Sequence, residues 1–199
     1  MTNSELSTNP SFLLLLSTAE QLIEEKGCRS TTLQEIINRT GLSKGAIYHY
    51  VSSKDELFGL ILQSKMELMN TKFYEAVQQV TSENRSSLPF QVIAEGLAEN
   101  SQENSVFNAI FVYLISQKDN PTIAAILAKQ QQFIYDTVLQ WIRIGQQAQV
   151  IPASADAAKM ASMYIVFSYG LRVQQQIGPT SSTITTKDIF QMLLRPQSK

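Results

Sequence analysis

TLQEIINRTGLSKGAIYHYVSSK, residues 32–54, carries helix-start and helix-stop signals in close succession. Thr32 followed three residues later by Glu35 is the spacing of a capping box, in which each side chain accepts an amide proton at a helix N-terminus. Leu33, Ile36 and Ile37 then repeat at helical spacing. Gly41 predicts the end of that helix, because glycine enters the left-handed backbone of a C-terminal cap without a Cβ penalty. Only Leu42 separates it from Ser43, which is placed to cap a second helix from Lys44 to about Tyr50. Two short helices joined by so tight a turn make a helix-turn-helix, whose second helix fits a DNA major groove.

The residues of that second helix suit the task. Gly45 and Ala46 are small enough for close approach to base edges, and Lys44 is a cation for a phosphate or a guanine. Ile47 is expected to face inward, while Tyr48, His49 and Tyr50 carry polar tips on apolar rings. Ser53 and Glu56 repeat the capping-box spacing at the start of a further helix. Lys54 lies in its first turn, where a cation opposes the helix dipole, so an anionic partner would account for it.

From about Leu15 to Leu62 the chain resembles the N-terminal domain of the TetR (tetracycline-repressor) family. The matching pieces are AEQLIEEKG, TTLQEII, TGLSKGAIYHY and SSKDELF. They cover about a quarter of the chain and are specific as a set. The resemblance implies an all-α, homodimeric transcriptional regulator, usually a repressor that a small molecule releases from DNA. Carried over by position, its phosphate and base contacts fall on Thr32, Ser43, Lys44, Gly45, Ala46, Tyr48, His49 and Lys54. Many relatives begin the first helix with arginine or lysine, whereas this chain has Ser11-Phe12-Leu13, so no basic N-terminal arm is expected on the DNA.

Composition narrows the alternatives. Of 199 residues 44% are hydrophobic and 17% charged, which suffices for a core and is too apolar for general disorder. The net charge of −1 does not announce a nucleic-acid binder, and residues 1–56, with five basic and seven acidic side chains, are themselves net −2. Between Ile36 and Lys54, however, no acid occurs, while Arg39, Lys44 and Lys54 do, and charge at the contact face is what phosphate attraction requires. Cys28 is the only cysteine and His49 the only histidine. An intrachain disulfide and a Cys/His metal cluster are therefore excluded, and His-assisted nucleophilic catalysis is disfavoured. No cofactor and no enzymatic activity are expected. The run FLLLLS lacks a basic n-region and has five apolar residues, too few for a signal peptide, and no stretch is long enough to span a bilayer. A cytoplasmic protein is expected.

The chain divides, on this reading, into a helix-turn-helix domain over 8–56 and a larger helical regulatory and dimerisation domain over 57–199. A first helix from about Ser11 to Lys26, ended by Gly27, braces the helix-turn-helix. Later helices are expected over 54–80, from Pro89 to about Glu99, from Ser105 to Gln117, from Pro121 to about Gln149, over 154–177 and over 186–194, with TSENRSS (81–87) as a loop. Between Lys159 and Arg172 lies MASMYIVFSYGL, uncharged and apolar almost all round, which must be covered on several sides. The resemblance makes 154–194 the homodimer interface, and charge inserted at Ile165 or Phe167 is expected to lower solubility or stability. Met66, Met69, Phe73, Phe107, Phe111, Tyr135, Trp141, Tyr164 and Phe167 are candidates to line an effector cavity, since Met and aromatics line such cavities, although they equally fill cores. Two functions stay open for the larger domain. One is release from a palindromic double-stranded operator by a small-molecule effector; the other is a protein-interaction platform without a small ligand.

Overall fold

Asn9 and Pro10 open the first helix of this computed structural model, which describes residues 9–79, 88–102, 105–177 and 188. The Asn9 carboxamide accepts from the Ser11 and Phe12 amides at 3.0 and 3.2 Å, and Pro10 takes the first position, where its missing N–H costs nothing. Eight helices and no strand occur among the described residues: α1 (Pro10–Ser30), α2 (Leu33–Thr40), α3 (Lys44–Tyr50), α4 (Lys54–Gln78), α5 (Leu88–Ser101), α6 (Val106–Ser116), α7 (Pro121–Gln147) and α8 (Ala157–Ile177). The all-α expectation holds.

Several boundaries follow from local chemistry. Gly27 breaks α1 as expected, with φ +80, but one further turn follows before the chain leaves at Thr31, whose hydroxyl donates back to the Gly27 carbonyl at 2.9 Å. Asn120 accepts from the Thr122 amide at 2.9 Å, and Pro121 begins α7. The α7 end is tied by the Val150 and Ile151 amides donating to the Gly145 carbonyl. The helix expected from Ser154 starts later, at Ala157, because Asp156 rather than Ser154 caps it, accepting from the Ala158 and Lys159 amides at 3.0 and 3.1 Å. The expected loop over 81–87 and most of the expected helix over 186–194 lie outside the described residues.

The chain forms two compact units, Met1–Lys65 with Asn104–Gln130, and Met66–Glu103 with Gln131–Lys199. The first unit therefore holds α6 and the starts of α4 and α7 together with α1, α2 and α3. Its core is fully apolar at Leu15, Leu22, Ile36, Ile47, Leu57, Phe58, Ile61 and Ile110, and α1 packs against both α2 and α6. The second unit is centred on Phe73, Ile93, Leu97, Trp141 and Ala161.

Within the first unit, Gly59 on α4 permits a close crossing. A Cβ there would meet Ile126 Cγ2 at 2.8 Å, and the Gly59 carbonyl accepts from Gln130 Nε2 at 2.7 Å. A β-branched isoleucine has little rotamer freedom with which to yield. Gly59→Ala should therefore cost about 1–3 kcal/mol of stability by overpacking, despite alanine's better helix propensity, as measured by urea denaturation.

Candidate DNA-binding face and regulatory core

The helix-turn-helix is built by side chains that satisfy its open backbone groups. Thr32 Oγ1 accepts from the Glu35 amide at 3.3 Å and starts α2; Gly41, at φ +68, ends it. Ser43 Oγ accepts from the Ala46 amide at 3.2 Å and starts α3. Only one half of each expected capping box forms. The Glu35 carboxylate pairs with the Lys26 ammonium, and Glu56 accepts from the amide and hydroxyl of Ser52, both at 2.7 Å, while Ser53 caps the Glu56 amide at 3.1 Å.

Helix α3 is held by its inner face. Ile47 is fully buried, Val51 nearly so, and Tyr50 donates its hydroxyl to Asn9 Oδ1 at 3.2 Å, its ring against Phe12. Phe12, which stands where many relatives have a basic residue, is thus a core side chain. The outer face presents Ser43, Lys44, Gly45, Tyr48 and His49, all exposed, with Ala46 half-exposed and Thr32 exposed at the start of α2. The Lys44 ammonium lies 5.7 Å from the Tyr48 ring centre, a cation–π contact that leaves its charge outward. A Cβ on Gly45 would meet nothing within 4 Å, so the fold does not require glycine there.

The basic strip is thinner than the sequence suggests. The Arg39 guanidinium pairs with Glu25, which lowers that carboxyl below its usual range. Lys54 donates to the carbonyls of Cys28, Arg29 and Thr31 at 3.0, 3.2 and 3.0 Å. Three acceptors for three ammonium hydrogens make it the cap of the α1 C-terminus. Its placement opposite the α4 dipole is explained by carbonyls, and it joins the DNA candidates only indirectly. Beside it, burial pushes the Cys28 thiol up to about 11, a small core residue of low reactivity.

The effector candidates do not gather in one place. Met66, Met69, Phe73, Trp141 and Tyr164 share the second unit's core, with Tyr135 on its margin and Phe167 half-buried on α8. Phe107 belongs to the first unit's core, and Phe111 is buried on the same helix. The second unit's aromatics fill space against one another, with Phe73 and Trp141 at 5.5 Å and Trp141 and Tyr164 at 6.4 Å, and Trp141 Nε1 donating to Asn70 at 2.7 Å. A cavity of about 220 Å³ in this unit is lined by Phe73, Val77, Pro89, Phe90, Ile144, Gly145, Ala148 and Val150. Only Phe73 among the candidates reaches it. Two buried polar residues carry no sequence signal: Asn108, whose carboxamide finds no partner, and Arg172, lowered to about 10 by burial, whose Nη1 reaches the Asn100 carbonyl at 3.4 Å. Among the described residues no cluster of His, Cys, Asp and Glu could hold a metal, and no helix is long and apolar enough to cross a membrane.

Residues 15–61 match the family model described as bacterial regulatory proteins, tetR family. Over this segment the chain carries the N-terminal domain of the TetR family. It is 23% identical over 172 residues to the HTH-type transcriptional regulator UidR of Escherichia coli K12, spanning 86% of this chain and 84% of that one. It is 29% identical over 101 residues to the HTH-type transcriptional repressor KstR2 of Rhodococcus jostii, spanning 50% of this chain and 46% of that one. The fold is similar to that of the fatty acid degradation regulator FadR from Bacillus halodurans, with a TM-score of 0.66, 15% identity, and coverage of 92% of this chain and 97% of that one. The relatives and fold neighbours are transcriptional regulators of the TetR family rather than enzymes.

Removing the Lys54 cap strands three carbonyls. Lys54→Met should lower the unfolding free energy by about 2 kcal/mol in chemical denaturation, since hydrogen bonds to a charged group are the stronger kind.

Proposed function

We propose that this protein is a homodimeric repressor that reads a palindromic operator with the outer face of α3 and leaves it when a small molecule enters the regulatory unit. The observation that carries the DNA reading is the division of α3 into a buried inner side at Ile47 and an exposed outer side of Ser43, Lys44, Tyr48 and His49. Thr32 and Ser43 would donate hydroxyls to phosphate, Tyr48 and His49 would add polar tips, and Gly45 and Ala46 would let the helix start approach base edges. Lys54 would support this face by fixing the end of α1.

The dimer reading rests on α8. Ile165 faces the protomer's own core, contrary to the expectation that it lies at an interface, but Val166, Val173 and Ile177 are 70, 48 and 78% exposed. With Ser162 and Gly170, also exposed, they form one stripe at 162, 166, 170, 173 and 177, and a Cβ on Gly170 would meet nothing within 4 Å. A two-fold axis buries such a stripe against its own copy. The effector reading is supported by the apolar cavity beside Phe73 and Phe90, which favours an apolar compound. At about 220 Å³ it falls below the usual range of ligand pockets, so entry would require the surrounding side chains to give. A cytoplasmic location accords with this function.

In vitro selection from random duplexes should enrich a palindrome. Lys44→Ala should weaken its binding and reduce the slope of log affinity against log salt by about 1 per protomer. Gly45→Phe should abolish binding while leaving helicity and stability near wild type. Wild-type affinity in Gly45→Phe would remove α3 from the groove.

The dimer has its own test. Val166→Glu should convert the protein to a monomer by analytical ultracentrifugation without unfolding it, whereas an unchanged dimer would move the interface away from this stripe.

A further inference from the structure

Lys54 and Asp55 open α4, and a residue far along the chain meets both. Tyr113, on α6, donates its hydroxyl to Asp55 Oδ1 at 3.0 Å. Its ring centre lies 5.3 Å from the Lys54 ammonium and 5.7 Å, edge-on, from Phe58. Phe58 is fully buried, so the tyrosine ring is seated on core rather than on a mobile neighbour. Burial and the hydrogen bond to Asp55 push the phenol up to about 12, which keeps it a donor over the whole neutral range. A second, longer tie joins the same two regions, Arg29 Nη2 to Ser116 Oγ at 3.5 Å.

The consequence reaches the helix-turn-helix through carbonyls. A helix leaves its last C=O groups unpaired, and Lys54 collects those of Cys28, Arg29 and Thr31 at the end of α1. Thr31 is followed directly by Thr32, the cap that starts α2. The ammonium therefore anchors the chain directly before α2, and α3 follows after one tight turn. A lysine has a flexible four-carbon stem and does not fix that point by itself. A ring on one side and a carboxylate-bound hydroxyl beside it narrow its choices.

We propose that Tyr113 is a positioning residue for DNA recognition: from α6 it holds the Lys54 clamp, through the Asp55 hydrogen bond and its ring, and so fixes the placement of the α2–α3 pair. The proposal rests on the reading of α3 as the DNA-contacting helix. On this account the recognition module ends at α6 rather than at residue 56.

The test uses the full chain and the duplex that the wild type enriches from random sequence. Tyr113→Phe keeps the ring and loses the donor; Tyr113→Leu loses both. Tyr113→Phe should weaken the selected duplex about fivefold, and Tyr113→Leu more, while circular dichroism shows unchanged helicity. Affinity for a random duplex, and the salt slope, should stay at wild-type values, because the phosphate contacts are the same in number. Asp55→Ala should match Tyr113→Phe, and the double variant should be no weaker than either single one, while Asp55→Asn, which keeps an acceptor, should restore binding. Equal losses on selected and random duplexes, or fully additive single effects, would show a merely structural role and overturn the proposal. So would unchanged affinity in a folded Tyr113→Phe, which also decides the matter if the leucine variant fails to fold. A wild type that enriches no duplex defeats the DNA reading itself; one that does, with variants indistinguishable from it, defeats only the role of Tyr113.

Discussion

A helix of seven residues does not persist in water, since the cost of nucleation exceeds what so few hydrogen bonds return. Helix α3 exists because Ile47 is buried completely beneath it and Val51 closes its end, with the Val51 amide donating to the Ile47 carbonyl at 3.1 Å. Burying one such side chain contributes about 2 kcal/mol, a large part of what a short helix needs. The same contact divides the helix into a seated side and a presented side. Tyr50, joined to Asn9 and Phe12, adds a second point of attachment, so the helix is fixed in rotation as well as in place. Every functional statement about Lys44, Tyr48 or His49 presupposes that rotation.

Charge sets the next constraint. Two pairs, Lys26 with Glu35 and Arg39 with Glu25, neutralise cations at the helix-turn-helix, and Lys54 is engaged by carbonyls. What faces outward from α3 is Lys44, assisted by hydroxyls and a helix N-terminus. On the proposed DNA reading, so sparse an electrostatic contribution would give weak binding per protomer. In the proposed dimer a two-fold assembly would double it and add the spacing requirement of two half-sites, which would link the exposed stripe on α8 to the modest charge of α3.

How much of this was legible in the sequence depended on how local the cause was. The caps at Thr32, Ser43 and Asn120 and the left-handed Gly41 act within three or four residues, and spacing alone exposed them. The second halves of the capping boxes were not legible, because Glu35 pairs with Lys26 on another helix and Glu56 takes the Ser52 amide and hydroxyl instead of the Ser53 amide. Lys54 showed its charge but not its three carbonyl partners, which come from another helix. Phe107 and Phe73 have the same chemistry and the same helical spacing; only packing assigns one to each core. Asn108 and Arg172 sit within apolar segments and signal nothing until burial is known. The cavity, lined mostly by residues that no motif marks, was invisible for the same reason.

The central claim is that the outer face of α3 touches DNA, and the chain offers one direct reporter of it. His49 is the only histidine, so its imidazole signals in a proton NMR spectrum need no assignment. Titration with the duplex enriched by selection should shift or broaden those signals in step with the binding curve, and a random duplex should do so only at higher concentration. Tight binding of the selected duplex with the His49 signals unmoved would contradict the account and place the DNA contact elsewhere on the protein.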